Sequence, residues 1–315
     1  MNKDRKPIII LQHGGGELGN QLWNFVSIYA YCLEKGYDCR NYSFFEYGKF
    51  FNIPVSSPLI DTFFFSPFAS YTKRRNAMRV KIWRFLYKIL FIMPVRLFFG
   101  KNIISSKNIE KKVYYLPPTE TSKELENAER RARMLYMDGW LFRNPVGMKK
   151  YRKEIITYFA PQKDISASIE KTLGDLRGKY NYLVGVHIRQ GDYTTYKGGE
   201  YLIPQKRVRE ILDEYLHIND KDSASTCFVI TTDGKVDEEI FKGLHIVVNN
   251  KSAVEDMFTL SGCDVIIGSD SSFGNFAAYY GDIPHIVFKK EPMDWEYYKG
   301  KSDYFENKYC TLVHY

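Results

Sequence analysis

The second half of the chain alternates apolar, strand-like runs with helical patterns, and few folds accommodate that rhythm. Strands are predicted near residues 182–188, 226–231, 245–248, 265–267 and 285–288, with helical periodicity between them at 205–217, 236–242, 253–261 and 272–280. Short apolar runs joined by helix-length segments require a parallel sheet with right-handed crossovers and helices on both faces. The expected class is therefore α/β, doubly wound.

The first half opens the same way. Strand 7–12 meets the turn Gly14-Gly15-Gly16, and Leu22, Phe25, Val26, Tyr29, Ala30 and Leu33 then recur at helical spacing. Gly36 ends that helix and 37–42 reads as a second strand, a βαβ start. Residues 43–68 are aromatic-rich and broken by Pro54, Pro58 and Pro67, which suits irregular structure. Beyond them a strand is expected near 113–116, a helix over 122–134, a strand over 135–142 and a helix over 148–159. The boundary is placed just past Pro161, giving domains 1–163 and 164–315; 315 residues at 44% hydrophobic content supply a core for each.

The net charge of +8 is concentrated in one place. Lys73, Arg74, Arg75, Arg79, Lys81, Arg84, Lys88, Arg96 and Lys101 occur within 29 residues that contain no acidic side chain, so the rest of the chain is nearly neutral. Basic residues gathered in one segment, rather than along a groove, argue against a nucleic-acid partner. As a helix, the segment sets Ile82, Phe85, Leu86, Ile89 and Met93 on one face and Lys81, Arg84 and Lys88 on another, the pattern of a helix lying on an anionic membrane surface. The alternative is that this apolar face packs on its own domain. A span is not expected, because Arg84, Lys88, Pro94 and Arg96 interrupt the run before the roughly 20 residues a bilayer requires. The amino terminus lacks a signal pattern, and Cys32, Cys39, Cys227, Cys263 and Cys310 match neither a zinc site nor a disulfide framework. The expected location is cytoplasmic, peripheral on the inner face of the cytoplasmic membrane.

Four segments carry candidate chemistry. The run 14–21 places glycines between a strand and a helix, where backbone amides approach a ligand closely. It is a weak dinucleotide site, since Asn41-Tyr42 stands where a ribose-binding carboxylate belongs, and tight turn geometry alone would also explain it. Strand 182–188 delivers His187 and, two residues on and thus on the same side, Arg189, whose planar fork suits phosphate. The competing reading pairs Arg189 with Asp192 and leaves His187 as a strand cap. Ser269-Asp270-Ser271-Ser272-Phe273 opens a helix whose positive end suits phosphate or simply carries an N-cap. Asp233, after Thr231-Thr232, is placed to accept from a base or ribose, or is an ordinary turn aspartate.

Together these segments resemble glycosyltransferase family 11, the inverting GDP-fucose-dependent fucosyltransferases typified by α-1,2-fucosyltransferases. The resemblance rests on Gly16-Glu17-Leu18-Gly19-Asn20-Gln21-Leu22-Trp23, on Asp138-Gly139-Trp140 ahead of a helix ending in Phe159, on His187-Ile188-Arg189-Gln190-Gly191-Asp192-Tyr193, on 256–263 and on Ser269-Asp270-Ser271-Ser272-Phe273. It departs at Gln190, where the family has a second arginine, and at Asn275-Phe276, where an aromatic pair is usual; residues 73–101 fall outside it. The resemblance implies a GT-B-like fold of two facing Rossmann-like domains, with GDP-fucose mainly on the second and the acceptor in the cleft. It implies that Arg189 neutralises the departing β-phosphate, that His187 and Asp233 position the nucleotide, and that Ser271, Ser272 and Phe273 hold phosphate and sugar. Gly16, Asn20 and Gln21 would contribute from the first domain. No cofactor or metal is expected, and Asp220-Lys221-Asp222 reads as a polar loop rather than a metal-binding D-x-D. Asp192 and then Glu200 are candidates for the base that deprotonates the acceptor. The implied reaction moves fucose onto a hydroxyl of a glycan or lipid-linked oligosaccharide, in α-1,2 linkage, in bacterial surface polysaccharide synthesis. Two alternatives stay open: a transferase using another nucleotide sugar, to which Gln190 points, and a catalytically silent nucleotide- or glycan-binding module.

Overall fold

The computed structural model describes residues 6–13, 15–53, 78–106 and 113–300. The chain divides into two compact units between Gln162 and Lys163.

In the first unit β1 (Ile8–His13) leads into α1 (Leu18–Lys35) and β2 (Asp38–Asn41). α1 is buried on nearly every side, Leu22, Trp23, Phe25 and Val26 included, which is why its sequence carries almost no charge before Glu34 and Lys35. Gly36 stops it in the left-handed conformation, φ +64°, where its N–H reaches the carbonyls of Cys32 and Leu33. Then come α2 (Met78–Tyr87), a π-helical turn (Lys88–Ile92), α3 (Met93–Phe99), β3 (Ile103–Ser105) and β4 (Tyr114–Tyr115). α4 (Lys123–Arg131), β5 (Met134–Asp138), β6 (Phe142–Arg143), α5 (Pro145–Lys150) and α6 (Arg152–Tyr158) complete the unit. The sheet is parallel, in the order β2-β1-β5-β3, with β4 and β6 forming a separate parallel pair.

Two sequence expectations change here, and one open alternative is decided. The strand expected over 135–142 is two, because Gly139 turns the chain at φ +133°, a conformation closed to other residues. The helix expected over 148–159 is likewise two, broken at Tyr151 (φ −106°, ψ 25°). On the basic segment the alternative, that the apolar face packs on its own domain, is not what the structure has: Trp83, Tyr87, Ile92 and Val95 are buried, while Ile82, Phe85, Ile89 and Met93 are exposed.

The second unit runs α7 (Lys163–Arg177), β7 (Tyr182–Ile188), α8 (Gln205–Ile218), β8 (Thr226–Thr232), β9 (His245–Asn249), α9 (Ala253–Ser261), β10 (Val265–Gly268), α10 (Ser272–Gly281), β11 (His285–Val287) and α11 (Trp295–Tyr298). Its five strands are parallel in the order β11-β10-β7-β8-β9. The 236–242 segment forms only a 3-10 turn, Glu238–Phe241, so β8 and β9 are joined by less than a full helix. Both sheet faces are covered. Val184, Val186 and Ile188 pack with Val208, Ile211 and Leu212 of α8, and Leu183 faces Leu176 and Cys263 on the other side. That explains the unbroken apolar character of β7, a strand buried on both faces. The chain builds outward from β7 through β8 to β9, then returns to add β10 and β11 on the opposite flank, so the topological switch lies between β7 and β10. Ligands of open parallel sheets bind at the carboxyl end of that crevice.

Candidate functional site

The carboxyl ends of β10, β7 and β8 lie side by side, with Gly268 beside His187 and His187 beside Thr231. This register brings five candidate residues together: His187 in β7 and Arg189 just after it, Asp233 after β8, and Ser271 with Phe273 after β10.

His187 is buried, and its ring stacks on Phe273 with centroids 4.8 Å apart and planes 25° from parallel. Its Nδ1 lies 3.2 Å from Ser271 Oγ, and the same hydroxyl accepts from the Gly274 N–H as the N-cap of α10. Burial pushes His187 down from its ordinary 6.5 to about 3, with the Arg189 charge adding and Asp233 opposing. The imidazole is therefore neutral at physiological pH. Packing around it is close: a Cβ at Gly268 would stand 3.0 Å from His187 Cβ, and one at Gly274 3.3 Å from His285 Nε2, so either substitution would have to displace a neighbour slightly. His285, pushed to about 4 by burial, has Nδ1 2.9 Å from Asn275 Oδ1, and Asn275 in turn donates to the Ser271 carbonyl at 3.0 Å.

Arg189 emerges from this buried layer at the rim. Its backbone N–H donates to Ser269 Oγ at 3.0 Å, which fixes the residue to the β10 end. Its Nε donates to Asp192 Oδ1 at 2.8 Å and stands 3.2 Å from Asp233 Oδ2, while the guanidinium lies 5.8 Å from the centre of the Tyr193 ring. Tyr193 is itself tethered, donating to the Asp270 carbonyl at 2.8 Å. Asp233 also accepts from the backbone N–H groups of Gln190, 2.7 Å, and Gly191, 3.0 Å. A side chain at Gly191 would lie 2.6 Å from that carboxylate. Asp233 is thus the clasp of the loop after β7. Gln190, the departure from the family motif, donates to Thr232 Oγ1 at 3.1 Å and to the Lys235 carbonyl at 2.9 Å. Its side chain is a neutral strut between the loops after β7 and β8. Ser272 lies in the first turn of α10. Glu200 follows the turn Tyr196–Gly199, a separate stretch of the same connection that carries Asp192.

The first unit repeats the principle. Its switch lies between β1 and β5, and the glycine turn and Gly139-Trp140 follow those two strands. Gly16 has φ +84°, Gln21 Nε2 donates to its carbonyl at 3.1 Å, and Asn20 occupies the space that a Cβ at Gly16 would need. Asn24 donates to the Gly139 carbonyl at 3.2 Å and accepts from the Phe142 N–H at 3.1 Å, so it sews α1 to the turn after β5. Gly16, Asn20 and Gln21 form one constellation within this unit.

Sequence reading passed over Ser269, Tyr193, His285 and Asn24 as site residues. Ser269 and Tyr193 carried a signal, since each stands inside a quoted motif; Asn24 and His285 gain their roles only from partners far along the chain.

The family model for glycosyl transferase family 11 matches residues 141–309, more than half of the chain; the match includes His187, Arg189, Asp233 and Ser271 and begins after the Gly16 constellation of the first unit. The chain belongs to glycosyl transferase family 11. No curated protein matches it in sequence. Among solved structures it is similar to POFUT1 in complex with GDP-fucose, with 13% identity and a TM-score of 0.56 over 91% of this chain and 99% of that one. It is similar to the NodZ α-1,6-fucosyltransferase soaked with GDP-fucose, 15% identical, TM-score 0.51, covering 90% of this chain and 96% of the other. A variant of Arabidopsis thaliana FUT1 in complex with GDP gives 13% identity and 0.51 over 92% of this chain and 72% of that one. These likenesses show a fold, and it is the GT-B type: this family 11 glycosyltransferase has two α/β units, each built on a parallel sheet.

Proposed function

We propose that this glycosyltransferase is an inverting fucosyltransferase that binds GDP-fucose at the β7–β10 crevice and transfers fucose to a glycan hydroxyl. The observation that supports it most is the placement of Arg189. A guanidinium braced by two carboxylates and an aromatic ring stands one loop from the amino end of a ten-residue helix, at a sheet's switch point. A diphosphate leaving group needs positive charge that is already in place as the glycosidic bond breaks. In this reading Arg189 supplies it, the α10 amides after Ser271 and Ser272 add the helix dipole, and no metal or cofactor is needed. Neutral His187 and Phe273 form the wall beneath the phosphates. Asp233 acts by holding the loop and Arg189 rather than by touching base or ribose.

The donor assignment also draws on the three similar solved structures, described with GDP-fucose or GDP. One of them, NodZ, is an α-1,6-fucosyltransferase, so the fold does not select the α-1,2 linkage. We assign α-1,2 transfer and a role in bacterial surface polysaccharide synthesis from the family motifs, with the acceptor a glycan or lipid-linked oligosaccharide in the cytoplasm. Incubation with GDP-fucose and a panel of glycans, resolved by mass spectrometry and linkage analysis, tests this: fucosylated product supports it, and transfer from a different nucleotide sugar only would overturn the donor. Arg189→Ala is expected to lower kcat by about 100-fold or more with the melting temperature held. The neutral Gln190 favours one second reading, a different nucleotide sugar, which thermal shifts with GDP, UDP and ADP would distinguish.

A further inference from the structure

The segment Met78–Phe99 turns its most apolar stripe away from the unit that carries it. Trp83, Tyr87, Ile92 and Val95 are buried against Ile10, Tyr42, Phe45 and Tyr136, and Tyr87 stacks on Phe91 at 5.1 Å. Residues 83, 87, 91 and 95 are four apart, a spacing that drifts around an α-helix by roughly 40° per step. The π-helical turn Lys88–Ile92, with more residues per turn, absorbs that drift and keeps one face on the sheet. The turn is built in. Gln12 Nε2 donates to the Ile92 carbonyl at 3.1 Å, and Tyr87 donates to the Gln12 carbonyl at 2.9 Å. Ion pairs of Arg84 with Glu46 and of Arg96 with Asp138 hold the arm at both ends.

The opposite face is therefore fixed outward. It presents Phe85, Ile89, Leu90, Met93, Leu97 and Phe98, the last two 76% and 79% exposed. Exposed lysines at 81, 88 and 101 accompany this stripe, and residues 73–101 contain no acidic side chain. No helix among the described residues is long and apolar enough to cross a membrane.

We propose that this stripe docks on an anionic lipid bilayer surface, its apolar side chains entering the headgroup boundary and Lys81, Lys88 and Lys101 meeting lipid phosphates. A contiguous apolar face with a wholly basic accompaniment is what such a surface selects. A second copy fits less well, because an isologous contact would set identical basic sets against one another. A polyanion such as nucleic acid has no use for the apolar stripe. The arm belongs to the first unit, so this docking does not depend on which donor the second unit binds.

The purified full chain is mixed with vesicles of phosphatidylcholine alone, or of phosphatidylcholine with phosphatidylglycerol, and sedimented. Binding to the anionic vesicles, weakened by salt, is the expected result. Leu97→Glu with Phe98→Glu should lower the bound fraction about tenfold or more. Lys81→Ala with Lys88→Ala should lower it severalfold and flatten the salt dependence. Circular dichroism and melting temperature report whether each variant is folded, and Leu90→Gln is an independent lesion on the same face. Failure of the wild type to bind anionic vesicles, or equal binding by wild type and the two stripe variants, would overturn the proposal. So would a wild-type dimer that the stripe variants convert to monomer, which assigns the face to self-association.

Discussion

Asp233 holds Arg189 and the backbone beside it with a single carboxylate: Oδ2 stands 3.2 Å from the guanidinium Nε, and Oδ1 accepts from the Gln190 and Gly191 amides at 2.7 and 3.0 Å. One side chain thus positions both the Arg189 guanidinium and the loop that carries it. Asp233→Asn keeps an oxygen for the amides but removes the charge facing Arg189. Charge-assisted hydrogen bonds contribute about 1.5–3 kcal/mol, so kcat/KM is expected to fall about 10- to 100-fold. Asp233→Ala, losing the amide acceptor as well, should fall further and also lower GDP affinity. Steady-state kinetics with GDP titration by calorimetry checks both; equal effects of Asn and Ala would show that only the charge matters.

Asp192 separates two roles for a carboxylate in this layer. It is exposed, in the turn after β7, and Arg189 donates to it at 2.8 Å. In the proposed reaction, inverting attack comes from the side opposite the leaving group, and with Arg189 assigned to the phosphates its carboxylate partner would stand on the leaving-group side. Asp192 is therefore expected to act as a brace. Asp192→Asn should raise the KM for the donor and lower kcat less than about tenfold, since an exposed pair contributes about 1 kcal/mol or less. A general base would instead cost roughly 100- to 10,000-fold in kcat. The split between kcat and KM, measured at saturating acceptor, decides between them, and Glu200→Gln belongs in the same series.

The buried histidines make stability depend on pH. His187 and His285 are pushed down to about 3 and about 4 by burial, against 6.5 for an ordinary histidine. Between those values and 6.5 the unfolded chain binds protons that the folded chain refuses, so unfolding gains as pH falls. Their contribution is complete above 6.5 and is lost progressively below it, at about 1.4 kcal/mol per pH unit for each histidine at most. Denaturant midpoints should fall from pH 7 to pH 5, and less steeply in His285→Gln. Being neutral across that range, His187 should add no limb to the activity profile between pH 5 and 8.

The second sheet was legible because β7, β8 and β10 are apolar on both faces and separated by helix-length segments, and Arg189 could be found from its place two residues past His187. Its partners could not be found that way. Whether Asp233 faces a nucleotide or the Gln190 amide depends on β8 lying next to β7, a neighbour relation set by strand order and not by local pattern. The break in 135–142 was signalled by Gly139, yet glycine in an apolar run is ambiguous until its φ is known. The arm was half legible: periodicity identified the Ile82, Phe85, Ile89 and Met93 face as apolar, but the π-helical turn, which no periodicity marks, decided that the other face packs.

Gly16 offers a test of the first unit that is independent of the donor layer. Its φ of +84° disfavours any side chain, and a Cβ there would stand 2.5 Å from Asn20 Cβ. Gln21 also closes on its carbonyl at 3.1 Å, so the turn cannot relax without disturbing the start of α1. Gly16→Ala is expected to cost about 1–3 kcal/mol through backbone strain and displacement of Asn20. Asn20→Gly removes the clashing Cβ but leaves the φ, so the double variant should recover part of the loss and not all of it. Chemical denaturation of the two single variants and the double completes the cycle. A strictly additive result would show that Asn20 yields freely and that the strained φ alone fixes glycine at the head of α1.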